Sequence, residues 1–179
     1  MKMLKTILLT ILGIVALALI AALFIKKEYA VEKEITINKP KAEVFEYIKL
    51  LKNQNNYSAW AKLDPNMKKE YKGTDGTVGF VSAWDSENGD AGKGEQEIKK
   101  IADGERIDYE LRFIEPIKST DIAYMTTQSI DSTHTKVKWG FQGKMVYPTN
   151  LMLAFMNINE MIGKDLTDGL TNLKSILEK

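Results

Sequence analysis

Thr149 to Glu178 reads TNLMLAFMNINEMIGKDLTDGLTNLKSILE, and its spacing decides the fold class. Leu151, Phe155, Ile158, Ile162, Leu166, Leu170, Leu173 and Leu177 recur at steps of three and four, which puts them on one face of an α-helix and on no face of a strand. One unbroken helix over this stretch would be about 45 Å long and would lie across a whole domain. Its first half, Leu151 to Ile162, is apolar over much of its circumference and carries Met152, Met156 and Met161. Methionine is the adaptable side chain that fills irregular core or lines an accommodating pocket. Gly163 and Gly169 are the candidate bend points.

Upstream of this helix, residues 66–145 fall into short β-rich runs separated by turn signals: Gly73-Thr74-Asp75-Gly76, Ser86 to Gly92, Asp103-Gly104, the Pro116 region and Asp131 to His134. The turns cut out the strands Met67 to Lys72, Thr77 to Asp85, Lys93 to Ile101, Arg106 to Ile114, Asp121 to Ile130 and Thr135 to Met145. Short consecutive connections make an antiparallel meander. Another strand precedes them. From Tyr29 to Asn38, Tyr29, Val31, Ile35 and Ile37 alternate with Glu32, Glu34, Thr36 and Asn38, with Lys33 the exception. Pro40 then opens a helix whose apolar face is Val44, Phe45, Ile48 and Leu51, and a second short helix is expected at Tyr57 to Lys62 before Asp64-Pro65 breaks it. The order is strand, two helices, six strands and long helix, an α+β domain.

Alternation assigns faces to the strands. Ile107, Tyr109, Leu111 and Phe113 oppose Asp108, Glu110 and Arg112, and Val137, Trp139, Phe141 and Met145 oppose Lys136, Lys138, Gln142 and Lys144. Val78, Phe80, Ser82 and Trp84 form the inner set of one further strand, and Gly94, Gln96 and Ile98 that of the next. This inner face is aromatic and offers no acid, base or strong nucleophile. General acid–base work needs a tuned ionisable group in a water-excluded site, so the inner list suits binding better than catalysis and nominates no catalytic residue. Glu95 with Glu97 and Asp108 with Glu110 fall on the outer parity, where lysines of neighbouring strands are the expected partners. Glu160, Lys164 and Asp168 make an ordinary i, i+4 surface ladder. His134 sits in a polar turn and is expected to be solvated. The glycine-rich GDAGKG run, Gly89 to Gly94, lies between two strands rather than before a helix, so it is a hairpin loop and not a phosphate cradle.

The 179 residues, 44% hydrophobic and 27% charged, suffice for one domain plus a short appendage. Twenty-five basic against 24 acidic residues give a net charge of +1 without long blocks of either sign, which argues against nucleic-acid binding. With no cysteine there is no disulfide, thiolate metal site or cysteine nucleophile. No metal or cofactor is called for.

The appendage is Ile7 to Ile25, an uncharged run flanked by Lys2 and Lys5 before and Lys26 and Lys27 after. As a helix it spans about 28 Å, close to the roughly 30 Å of bilayer hydrocarbon, so residues 1–27 read as a membrane anchor and 28–179 as the domain. A cleaved signal peptide fits less well: its apolar core would be long, and the A-x-A match, Ala16-Leu17-Ala18, lies inside the run. Lys26, Lys27, Lys33, Lys39 and Lys41 outnumber Lys2 and Lys5 and favour a cytoplasmic domain. A short basic N-terminus on a first helix commonly stays inside and sends the rest out, so the two charge rules oppose each other.

EITINKPKAEVFEYI, NYSAW, GTVGFVSAWDSENGDAGKGEQEIKKI with GERIDYELRFIEP, TKVKWGFQG and MIGKDLTDGLTNLKSILE, in that order, resemble the START, polyketide-cyclase and birch-pollen-allergen superfamily (SRPBCC) over residues 29–179. The resemblance implies the helix-grip fold, a curved seven-stranded antiparallel sheet closed by the C-terminal helix over a deep apolar cavity. It implies a small hydrophobic ligand such as a lipid, sterol, isoprenoid or polyketide. Some members of the family cyclise or hydrate their ligands, and others act on chaperones or have no known ligand. The family has no common catalytic residues to carry over. Phe80, Trp84, Tyr109, Phe113, Trp139, Phe141, Met152 and Met156 are the expected ligand-binding positions. The reading from sequence is membrane-tethered binding of a hydrophobic ligand, with a polyketide cyclase or dehydratase using Tyr109 and bound water, or a ligand-free interaction module, as alternatives.

Overall fold

A computed structural model describes residues 2–179. Helix α1 (Lys2–Ala22) is followed by strand β1 (Glu28–Ile37), helices α2 (Lys41–Lys49) and α3 (Gln54–Tyr57), strands β2 (Lys68–Lys72), β3 (Val81–Asp85), β4 (Lys93–Ala102), β5 (Arg106–Glu115), β6 (Ser119–Ser129) and β7 (Thr135–Lys144), and helix α4 (Ile158–Leu177). The seven strands form one antiparallel sheet in the order β1-β7-β6-β5-β4-β3-β2. This is the helix-grip architecture: a curved sheet with α4 laid along its inner face.

Both faces of the sheet follow the alternation of the sequence. Ile107 and Tyr109 on β5 and Val137 and Trp139 on β7 are buried, and Leu111 and Phe113 pack against the same core. Leu166, Leu170 and Leu173 bring the stripe of α4 down onto them, each 1% exposed or less. Full burial of one such leucine stabilises by about 1.5–3 kcal/mol, so this stripe holds the helix to the sheet. Polar ties fix its height: Lys174 Nζ donates to the Thr36 carbonyl at 2.7 Å, Asn172 Nδ2 to the Tyr57 carbonyl at 3.1 Å, and Asn38 N to Glu178 Oε1 at 2.6 Å. On the outer face Arg112 is the centre. Its guanidinium meets Glu95 at 2.5 Å, Glu97 at 2.7 Å and Glu110, so arginine from the same face, rather than a set of lysines, neutralises most of these carboxylates.

The C-terminal stretch is not one helix. Thr149–Ala154 is a 3-10 helix, and α4 starts at Ile158 and runs for 20 residues, about 30 Å. The break lies at Asn157. Its Oδ1 accepts from Glu160 N at 3.2 Å while its Nδ2 donates to Glu160 Oε2 at 2.9 Å, so the N-cap residue and the third helical residue satisfy each other. Gly163 and Gly169 are sites of close approach, and α4 runs through both without interruption. A Cβ on Gly163 would lie 2.8 Å from Lys33 Cε, so the stem of Lys33, the exception in the β1 pattern, crosses the helix there.

Two further boundaries differ from the sequence reading. Tyr57 ends α3 instead of opening a helix, and Trp60–Lys62 is a separate 3-10 turn. The strand expected from Thr77 starts only at Val81, because Gly73, Gly76 and Gly79 all have positive φ and keep the chain in loop geometry, leaving Val78 60% exposed. His134 lies in the β6–β7 turn against Asp131 at 2.8 Å, which with the Thr133 amide lowers the Asp131 carboxyl to about 2.

Helix α1 is long and apolar enough to cross a membrane and lies outside the core. Its last turn is nevertheless fastened to the domain. Ala22 is fully buried, and Asn150 in the 3-10 helix donates to the Ala22 carbonyl at 2.6 Å and the Ile25 carbonyl at 3.0 Å.

Candidate functional site

Between the inner face and α4 lies a cavity of about 340 Å3. That is within the roughly 300–1,000 Å3 of small-molecule sites. Its walls come from β3 to β7, its roof from Ile162 and Leu166 of α4, and its near side from Leu51, Gln54, Ser58 and Trp60. Asp90, Ala91, Glu115 and Pro116, on the β3–β4 and β5–β6 turns, form the rim.

Four aromatic side chains give the cavity its shape. Trp84 is held by an Nε1 bond to the Ala91 carbonyl at 3.0 Å and meets Phe113 edge-on at 5.9 Å. Gly94 makes room for that indole, since a Cβ there would lie 2.6 Å from Trp84 Cζ2. Trp139 is set edge-on between Tyr57 at 5.6 Å and Trp60 at 6.3 Å. Phe141 stacks with Tyr29 at 6.1 Å. Beside Phe141 on the same face is Ala123, paired with Tyr109 on one side and Phe141 on the other, and its small side chain leaves the space open.

Of the eight expected binding positions, Trp84, Phe113, Trp139 and Phe141 line this cavity, and Phe80, Tyr109, Met152 and Met156 do not. Phe80 is stacked on Tyr71 at 6.1 Å inside the packed core. Tyr109 is equally buried in the core. Met152 lies in the 3-10 helix and Met156 in the link to α4, both outside the stripe that faces the sheet. Parity identifies the inner side of a sheet. It does not say which inner side chains meet a void and which meet a helix.

Ser82 and Gln96, placed on the inner face by parity, line the cavity, but its buried acid was not expected from the sequence. Asp121, 5% exposed, stands on the cavity wall and accepts from Ser119 Oγ at 2.9 Å and Lys144 N at 3.3 Å. Burial raises its carboxyl above the usual aspartate range, and the bonds from Ser119 and Lys144 partly offset this. Tyr29 is on the same wall, its phenol pushed up to about 12 by burial and by Asp121. The alternation of β6 carries the signal for this residue, because Asp121 shares odd parity with the buried Ala123 and Met125. Gln54 is a further polar group of the lining, with Asn55, Ser58, Ser82 and Gln96. Its Nε2 and the Tyr109 hydroxyl are both buried and make no well-formed hydrogen bond among the described residues; burial raises the Tyr109 phenol, and the neighbouring Gln54 side chain partly offsets this. Lys69, Asp90 and Glu115 also border the cavity, at its edge and rim. Among the described residues no cluster of His, Cys, Asp and Glu has metal-binding geometry.

No protein-family model and no curated protein matches the sequence. Solved structures do match in fold. XoxI from Bacillus cereus aligns with a TM-score of 0.60 at 13% identity, over 84% of this chain and 96% of its own. Norcoclaurine synthase from Thalictrum flavum, solved with dopamine and hydroxybenzaldehyde, aligns with a TM-score of 0.59 at 10% identity, over 84% of this chain and 87% of its own. Ara h 8.0201 aligns with a TM-score of 0.52 at 15% identity, over 84% of this chain and 98% of its own. The chain thus shares the helix-grip fold of these solved structures.

Proposed function

We propose that this protein is a membrane-tethered receptor for one small amphiphile, held in the cavity with its apolar body among Trp84, Phe113, Trp139 and Phe141 and its polar end at Asp121. The observation that carries this reading is the cavity itself, apolar over most of its wall with a few convergent polar groups. A packed interaction module has no need of that space. An unpartnered Gln54 amide and a carboxylate with spare lone pairs each cost stability when dry, and a ligand carbonyl and a ligand hydroxyl or amine would satisfy them. Helix α1 keeps the receptor at the membrane where apolar ligands are dissolved. The solved complex of norcoclaurine synthase supports the use of this fold for small aromatic molecules.

A cyclase or dehydratase is the second reading, favoured by Asp121 as a buried acid on the cavity wall. Binding is preferred over it because, among the described residues, the other ionisable lining groups are only the Tyr29 phenol and the peripheral Lys69, Asp90 and Glu115. Acid–base chemistry needs a second positioned group within hydrogen-bond reach.

The test is tryptophan quenching in the full chain held in phosphatidylcholine nanodiscs, titrated with a spin-labelled fatty acid. Saturable one-to-one quenching, reversed by unlabelled competitor and lost in Ala123→Leu, is the expected result. Quenching that rises linearly and is identical in the variant contradicts the reading.

A further inference from the structure

The last turn of α1 is the key to a second surface. Asn150 donates to the carbonyls of Ala22 and Ile25, both inside the uncharged run Ile7 to Ile25, and the Lys27 carbonyl accepts from Met145 N at 2.8 Å. The 3-10 helix Thr149–Ala154 is therefore clamped at the level of the apolar run itself. Around the clamp the domain exposes large apolar side chains that its own core does not use. Phe155 is 83% exposed, Ile117 65%, Val146 63% and Met161 53%, and Phe24 beside the helix end is 84% exposed. Strand register places them together. Glu28 pairs with Lys144, and Phe113 pairs with Ser119, so the end of α1, the β5–β6 turn and the link from β7 to α4 share one end of the sheet. The cavity rim is at that end too: Pro116 adjoins Ile117, and Ile162 adjoins Met161. Lys26, Lys27 and Lys118, all exposed, border the patch, with Glu28, Glu115 and Glu160 exposed beside them.

We propose that this end of the domain is a bilayer-docking surface. The 3-10 helix and the β5–β6 turn lie in the membrane interface, Phe155 and Ile117 reach the acyl boundary, and the cavity opens onto the lipid rather than onto water. The proposal rests on α1 spanning the bilayer. Given that, the clamp leaves no slack: the linker does not hold the domain at a distance, because Asn150 is bonded to the last residues of the spanning run. A lipid surface is the occupant that fits, since the patch is continuous with the apolar helix, and apolar side chains bordered by charged ones match an acyl layer beneath polar headgroups. A protein partner would have to share this surface with the membrane that α1 enters.

The chain has no cysteine, so single nitroxide labels can be placed at will. Labels at Phe155→Cys, Ile117→Cys, Leu12→Cys and Ile130→Cys, the last on the turn at the far end of the sheet, are read in full-length protein in phosphatidylcholine–phosphatidylglycerol vesicles. Depth is taken from relaxation by oxygen against a water-soluble nickel complex. The expected result is that positions 155 and 117 join position 12 in favouring oxygen, while position 130 favours nickel. Positions 155 and 117 behaving like 130 while 12 stays in hydrocarbon overturns the docking surface. Position 12 in water overturns the spanning helix itself, and the proposal with it. In Asn150→Ala, position 155 is expected to shift toward nickel with 12 unchanged; no shift overturns the role of Asn150 as the clamp.

Discussion

Gly169 on α4 faces the ring of Trp139 on β7, so closely that a Cβ at position 169 would lie 2.7 Å from Trp139 Cζ3. The glycine sets how near the helix comes to the sheet and thus the height of the cavity beside it. Gly169→Ala has two opposed effects. Alanine gains about 1 kcal/mol of helix propensity over glycine, and overpacking a rigid indole costs about 1–3 kcal/mol. The indole is held by Tyr57 and Trp60 and has no flexible end to move, so overpacking wins. Chemical denaturation in detergent micelles is expected to show a net loss of about 1 kcal/mol; a gain would mean the helix rides freely over the sheet.

Ala123 offers the complementary change. It is 3% exposed yet borders the cavity, so Ala123→Leu grows into empty space rather than into packed atoms. Stability is expected to change by less than about 1.5 kcal/mol. Affinity for the spin-labelled fatty acid is expected to fall by about tenfold or more, equivalent to about 1.4 kcal/mol. Trp139→Ala should also weaken binding, but removal of this large buried ring costs about 3–5 kcal/mol, so Trp139→Phe is the informative variant.

Asp121 makes stability depend on pH in a definite direction. Its folded carboxyl titrates above the ordinary aspartate value because burial disfavours the charge. The fold therefore prefers the protonated form, and the penalty grows as pH rises through and above the unfolded value of about 3.9. Asp121→Asn removes the charge and keeps an oxygen for the Lys144 amide. The variant should match the parent at pH 3 and exceed it at pH 8 in thermal melts. Equal stability at both ends would show that the carboxylate is not desolvated.

Arg112 behaves oppositely. It holds Glu97 below the ordinary glutamate range, helped by Lys99, so this contribution is present above about pH 4.3 and is lost as the pH falls through the lowered value. Arg112→Met leaves Glu95, Glu97 and Glu110 facing one another across neighbouring strands. A loss of about 1–2 kcal/mol at neutral pH is expected, allowing for partial solvent screening, and it should shrink at pH 3 and in high salt. A loss independent of pH would assign Arg112 a packing role instead.

Facing followed from residue alternation where a strand has one wet and one dry side, as Ile107, Tyr109 and Leu111 against Asp108, Glu110 and Arg112 show, and the meander followed from the short connections. The helix break did not follow from periodicity, since Leu151, Phe155 and Ile158 continue the spacing straight through it. The Asn157 and Glu160 cap was the competing signal, and the exposed Phe155 is the outcome. Trp84, Phe113, Trp139 and Phe141 reach the cavity from the inner face. Phe80 and Tyr109 share that face and are sealed by packing from Tyr71 and from the helices, a tertiary fact that alternation does not encode. Asp121 is the converse. It opens the strand read as Asp121 to Ile130, for which alternation was not used to assign faces, and it shares the parity of the buried Ala123 and Met125.

Occupancy of the cavity by an amphiphile is read in native mass spectrometry of the full chain, released from its own membrane in mild detergent. One additional small mass per chain is expected, extractable as a single amphiphilic class and absent from Ala123→Leu prepared in parallel. Bare polypeptide mass in both preparations would contradict it.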